Sequence, residues 1–162
     1  MRNLIFLLLM ITLLVSCNSN DANNGKNFYA LETGLDFRVV SPEGIDLLNP
    51  NNENSFLTET IKIYYLIDGD VQEIYNSNLS LPRNFKIVSP EDSGIEEYYM
   101  SIFLNNSVPE DAITYVEWNE TDTDTIRANF NNGNNHSILT KAWYNEELVF
   151  DESINTLPII IN

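Results

Sequence analysis

The chain has 162 residues, 43% hydrophobic and 20% charged, with 24 acidic against 8 basic side chains and a formal charge of −16. Phosphate binding takes clustered Lys and Arg, so this balance excludes a nucleic-acid partner, and it opposes flat binding to anionic lipid. A single cysteine and a single histidine exclude an internal disulfide and a zinc centre built from several thiolates or imidazoles.

The chain opens with Arg2 and an uncharged run, Leu4–Val15. One positive residue followed by about a dozen apolar ones is the layout of a secretory signal peptide, and it falls short of the roughly 20 residues that cross a bilayer. "LLVSC" ends the run, with the only cysteine at Cys17. Leu14-Val15-Ser16-Cys17 resembles the lipobox of bacterial lipoprotein precursors. The resemblance implies a diacylglyceryl group on the Cys17 sulfur, cleavage before Cys17 and acylation of the new amine. Stable anchoring takes two lipid signals, which two or three chains on one residue supply. Asn18 stands where enterobacterial lipoproteins retained at the inner membrane carry Asp. The expected address is therefore the cell envelope, at the outer membrane, on its periplasmic or its surface face.

Residues 1–16 are then a signal peptide, and 17–34 a lipidated cysteine with a polar, Asn-rich tether of the kind that stays flexible. Residues 35–162 are left for one domain, large enough to be stable by packing alone. The 24 asparagines cluster in "NPNNEN", "NSN" and "NFNNGNN", and Asn suits turns, so no ligand is needed to explain them.

Along that domain the apolar residues recur with a period of two, the signature of half-buried strands. "FRVV" (37–40) begins it. "TIKIYYLI" sets Ile61, Ile63, Tyr65 and Ile67 on one face and Lys62, Tyr64 and Leu66 on the other. Asp68-Gly69 is a type I′ turn pair that returns the chain into "VQEIY". "NFKIV" (84–88) lies between Pro82 and Pro90, and Ser89 or Asp92 can cap a short helical turn before Ile95. "EYYMSIFL" (97–104) aligns Tyr98, Met100, Ile102 and Leu104. "AITYVEW" (112–118) sets Thr114, Val116 and Trp118 against Ile113 and Tyr115, and "TIRANF" (125–130) aligns Ile126, Ala128 and Phe130. "NNGNN" reads as a loop. "SILTKAWY" and "ELVFD" flank Asn145-Glu146 as a second tight hairpin, and "LPIII" (157–161) pairs last or along an edge, because Pro158 cannot donate. Eight or nine short strands with turns between them predict an all-β domain, an antiparallel sandwich or barrel. The competing fold is an α+β domain using the helical turn.

"GIDLLNPNNENSF" (44–56), "WNETDTDTI" (118–126) and "KAWYNEELVF" (141–150) occur in this order. Together they resemble a group of small lipoproteins from Bacteroidota, each a lipobox, a short tether and one β-rich domain. The resemblance covers roughly residues 35–151 and departs at Asn145-Glu146-Glu147, where a hairpin of the group often has Asn-Gly. It implies compartment and architecture; the group brings no activity and no catalytic residue. Asp124-Thr125-Ile126 also resembles the Asp-Thr/Ser-apolar acceptor of O-glycosylation in exported Bacteroidota proteins, with Thr125 as the acceptor.

Residues able to do chemistry are few. His136 borders the Asn-rich loop, and its neighbour Ser137 faces the opposite side of a strand, so no triad forms on them and His136 reads as a loop residue. Glu120, Asp122 and Asp124 point one way if "NETDTDT" is extended, which makes them a weak calcium candidate, although carboxylates so spaced usually face water. Tyr64, Tyr99, Phe103, Trp143 and Val149 fall opposite the core faces, where aromatic rings can stack on sugars or pack on a protein. The expected function is a lipid-anchored, non-catalytic binding or assembly module. Its partners are the membrane, through Cys17, and an envelope protein or glycan; no cofactor is expected. The alternatives are a carboxylate-based hydrolase of a glycan and a carbohydrate-binding module.

Overall fold

In the computed structural model the described residues are 29–153 and 157–162. The expected signal peptide, Cys17 and most of the expected tether lie outside them. Eleven strands and one helical turn follow in chain order: β1 (Ala30–Glu32), β2 (Gly34–Val40), β3 (Lys62–Ile67), β4 (Asp70–Glu73), β5 (Phe85–Val88), α1 (Pro90–Ser93), β6 (Tyr99–Phe103), β7 (Ala112–Asn119), β8 (Asp122–Gly133), β9 (His136–Tyr144), β10 (Glu147–Asp151) and β11 (Ile159–Ile161).

The period of two does the folding work. Ile61, Ile63 and Tyr65 are buried while Lys62, Tyr64 and Leu66 between them stay partly open. Ala112, Thr114, Val116 and Trp118 are buried from β7, and Asp124, Ile126, Ala128 and Phe130 from β8. Strands with one apolar face must cover it, and here two sheets cover each other. The larger has seven strands in the order β1-β9-β8-β7-β3-β4, with β10 also on β9; the smaller runs β11-β2-β6-β5. β1 and β10 share the outer edge of β9, β1 in parallel at His136–Ile138 and β10 antiparallel at Lys141–Tyr144. Phe37, Val39, Met100 and Ile102 of the small sheet join Ile63, Val116, Trp118, Ile126 and Ala128 of the large one in a single core. The fold is an all-β sandwich, as the sequence pattern predicts. The sheets are stitched as well as packed. The Tyr65 hydroxyl on β3 donates to the Phe103 carbonyl on β6 (2.7 Å) and accepts from the Asn84 amide (3.1 Å).

Three expectations change. β1 and buried Thr33 lie in the stretch assigned to the tether, so the sandwich starts earlier than residue 35. β1 has only three exposed residues and therefore no alternation to read. "NNGNN" is not a loop throughout. Asn131, Asn132 and Gly133 continue β8 opposite Ile138, Ser137 and His136, which leaves a two-residue turn. A Cβ at Gly133 would stand 2.3 Å from the His136 ring, so glycine is what lets these strands close. The α+β alternative falls because α1 is one turn with no buried residue, N-capped by Ser89 and closed by Gly94 at φ 73°. Among the described residues no helix is long and apolar enough to cross a membrane.

The β3–β4 hairpin carries a direct test. Asp68 and Gly69 have φ of 53° and 87°, the paired positive values of a type I′ turn. A Cβ at Gly69 would meet nothing within 4 Å, so the cost of Gly69→Val is backbone strain alone, about 1–3 kcal/mol. Denaturant melts should show that loss, and an unchanged midpoint would contradict the turn.

Candidate functional site

The small sheet covers one face of the large sheet; the side chains of the other face form ladders across the strands. Tyr64, Tyr115 and Thr125 stand side by side on β3, β7 and β8. One step along, Val71 pairs with Leu66. Ile113, Arg127, Trp143 and Leu148 continue that line on β7, β8, β9 and β10. Between the two halves the buried Asn105 amide donates to the carbonyls of Leu66 (2.8 Å) and Ile113 (3.1 Å), closing the gap where the β3–β7 ladder ends. The result is a largely apolar row across the sheet, interrupted by Arg127, half-buried at the centre and open at its ends, where Val71 is 58% and Leu148 45% exposed.

Charges fix the polar rows beside it. Lys62 Nζ bonds Glu117 Oε1 at 2.7 Å, and the Tyr64 hydroxyl donates to Glu117 Oε2 at 3.0 Å. The Lys62 bond holds the Glu117 carboxyl below the usual range, and Glu117 in turn raises Lys62. Partial burial, then the bond to Glu117, pushes the Tyr64 hydroxyl up. The Arg127 Cζ lies over the Trp143 ring, 3.9 Å from its centroid, while Asp111 (3.0 Å) and Glu146 (3.4 Å) hold the guanidinium. A hollow of about 300 Å³ opens among Tyr64, Val71, Tyr115, Glu117 and Thr123.

The other expected aromatics divide. Tyr99 and Phe103 lie on the outer side of the small sheet, with Phe103 41% exposed. Val149 is a correction: the β9–β10 register shifts between Leu148 and Phe150, and Val149 and Phe150 both pack on the core. Thr125 sits on the outer face beside Tyr115. His136 is the first residue of β9 rather than a loop residue, its Nε2 3.4 Å from Asn131 Oδ1. Ser137 is buried and donates to Asn132 Oδ1 at 2.7 Å.

The calcium candidate does not assemble. Asp122 and Asp124 share a face, as expected of an extended segment, but it is the inner face, and Glu120 is exposed in the preceding turn. Asp124 is 7% exposed and its oxygens are occupied. Oδ2 accepts from Trp118 Nε1 (2.7 Å) and the Tyr144 hydroxyl (2.5 Å), and Oδ1 from Asn145 Nδ2 (2.6 Å). Among the described residues no three His, Cys, Asp or Glu side chains group as a metal site. The cluster is a polar knot inside the sandwich. Burial, then the bond to Asp124, lifts the Tyr144 hydroxyl far above the ordinary tyrosine range, so it stays a donor. This role for Asp124 is not among the sequence expectations. The signal was present, since Asp124 shares the alternation of Ile126, Ala128 and Phe130.

No protein-family model matches the chain, and neither a curated protein nor a solved structure matches it.

Two measurements test the knot. Asp124→Ala leaves the buried Tyr144 hydroxyl without its acceptor, while Trp118 Nε1 keeps the Tyr144 oxygen (3.2 Å) and exposed Asn145 turns to water, so a loss of roughly 1–3 kcal/mol is expected, against about 1 kcal/mol for Tyr144→Phe. Asp122 tests its pH dependence. Burial first, then the Asp124 charge, raises the Asp122 carboxyl above 3.8. Above its raised value the ionised carboxylate costs the folded state stability; below 3.8 it is neutral in both states and costs nothing. Asp122→Asn should therefore melt higher than the parent at pH 7, with the gain vanishing as pH falls through that window. A gain independent of pH would contradict the assignment.

Proposed function

We propose that the protein is a lipid-anchored, non-catalytic assembly module of the bacterial cell envelope, held at the outer membrane by acyl chains on Cys17 and docking a partner protein on the outer face of its large sheet. The anchor rests on the "LVSC" lipobox resemblance and the polar tether after it. The docking surface rests on the apolar row from Val71 to Leu148.

Several features favour a protein over a glycan on this face. Sugar rings need open aromatic faces to stack on, whereas Arg127 covers one face of Trp143 and Glu117 ties down the Tyr64 hydroxyl. The six-strand path of the sheet spans about 24 Å at roughly 4.8 Å per strand, on the scale of an ordinary interface of about 800 Å² per partner. Lys62, Arg127 and Lys141 are each matched by carboxylates on this sheet, in a chain of charge −16. The complementary partner has an apolar centre and a basic rim.

A hydrolase reading needs two carboxyls in a cleft with one pKa raised. Asp122 and Asp124 are close and Asp122 is raised, but Asp124 is buried and bonded to three donors, which leaves it no access to a substrate.

The anchor is tested by intact mass. The wild type should carry acyl chains on an N-terminal Cys17 and partition into detergent, and Cys17→Ser should do neither; a hexose-sized increment would report glycosylation at Thr125. An unmodified Cys17, or retained Met1, contradicts the anchor. The face is tested with a photo-crosslinker at Val71, at Leu148 and, as a control, at exposed Leu79 in native membranes. One partner species should be captured at the first two positions only. Val71→Asp and Leu148→Asp should abolish its capture without shifting the melt, and added salt should weaken it. Equal capture at all three positions, or capture of glycan in its place, overturns the docking surface.

A further inference from the structure

At one end of the sandwich the loop between β4 and β5 brings Arg83 under the start of β3. Its Nη1 donates to the carbonyls of Glu59 (2.8 Å) and Ile61 (3.1 Å), which fixes the guanidinium. The opposite edge is unused. Nε is shut away from solvent with no partner, and among the described residues Nη2 makes no hydrogen bond. Arg38, Lys62, Arg127 and Lys141 each face a carboxylate. Among the described residues Arg83 and exposed Lys86 do not, although the chain carries 24 acids. The guanidinium lies 5.8 Å from the centroid of the Tyr75 ring. Beside it is a hollow of about 370 Å³ lined by Thr58, Glu59, Tyr75, Pro82, Arg83 and Phe85, with Tyr75 61% exposed.

The geometry points to a binding site for a carboxylate-bearing sugar ring, a hexuronic acid unit of an acidic polysaccharide. Nη1 is held by the two carbonyls and Nε is out of a ligand's reach, so Nη2, without a hydrogen bond among the described residues, is the charged donor left for a carboxylate. A hollow this size exceeds what a bare carboxylate fills; apolar walls with one fixed polar anchor are how small-ligand sites are built, at roughly 300 Å³ and above. Exposed Tyr75 and the half-buried Pro82 ring give the sugar its apolar floor. Glu59 contributes its carbonyl to holding Arg83, while its own exposed carboxylate repels the anion and limits affinity. This site shares no residue with the outer face of the large sheet, and failure of either leaves the other standing.

The probe is D-galacturonate, titrated into the full chain in detergent by calorimetry and saturation-transfer NMR, with its methyl ester, galactose, acetate and a short peptide with a free C-terminus as comparisons. Binding in the millimolar range is expected, about tenfold weaker for the uncharged methyl ester and galactose. Arg83→Lys keeps the charge without the carbonyl ties that fix the guanidinium and should also lose about tenfold. Tyr75→Ala should lose several-fold, and Glu59→Gln should bind as tightly or tighter; neither touches the carbonyl ties, so both variants keep the fold. Equal binding of galacturonate and its ester, equal binding of acetate, tighter binding of the peptide, or no binding at about 10 mM each overturns the site.

Discussion

The sandwich depends on a carboxylate placed where an aliphatic side chain would be expected. Asp124 gathers the indole of Trp118 from β7, the hydroxyl of Tyr144 from β9 and the amide of Asn145 from the next turn. Each ring then carries the constraint outward. Trp118 stacks on Phe56 at 4.7 Å, which draws the long loop after β2 down onto the core. Tyr144 meets Phe37 of the small sheet edge-on at 5.6 Å. Trp and Tyr can lie this deep only when their N–H and O–H find acceptors. One acid provides both, and fixes the mutual positions of three strands, a loop and the facing sheet.

That knot sets what the outer face presents. A strand shifted by one residue would exchange its faces. Trp118 and Tyr144 would then lose Asp124, and Tyr115 and Trp143 would turn inward. The register that satisfies the buried carboxylate is thus the register that lines up Ile113, Arg127, Trp143 and Leu148 on the other side. Asn105 and Tyr65 act in the same sense at the opposite end, the first closing the gap between Leu66 and Ile113, the second reaching the Phe103 carbonyl.

Alternation made much of this legible. The faces of Lys62–Ile67, of Ala112–Trp118 and of Thr125–Phe130 follow from period two, and both tight hairpins follow from their turn pairs, Asn145 and Glu146 also having positive φ. Where period two is broken or too short, the pattern misleads. β1 has three residues; Val149 is turned onto the core by a shift in pairing; the Asn run extends a strand because its partner strand is long and Gly133 leaves room for a ring. The role of Asp124 was hidden by chemistry rather than by pattern. An acid at an inward position reads as a solvated one until its three donors, from the strand before and from the strand and turn after, are brought around it. The Arg83 hollow joins two loops and leaves no local motif at all.

The distribution of cations follows from the same economy. In a chain this acidic, a cation on a sheet face serves best where it relieves repulsion between carboxylates on neighbouring strands. Lys62 meets Glu117, Arg127 joins Asp111 to Glu146, and Lys141 meets Asp151. Open to solvent on one side, such pairs add little stability, but they neutralise positive charge where it stands and leave the unpaired acids to set the sign of the surface. Arg83 departs from this rule because backbone carbonyls, not a carboxylate, hold it. Among the described residues no carboxylate bonds it, and it stands at the mouth of an apolar hollow that Glu59 also lines. The long-range field of the chain repels anions, and this one fixed guanidinium reverses that preference over the short range where a carboxylate could meet it.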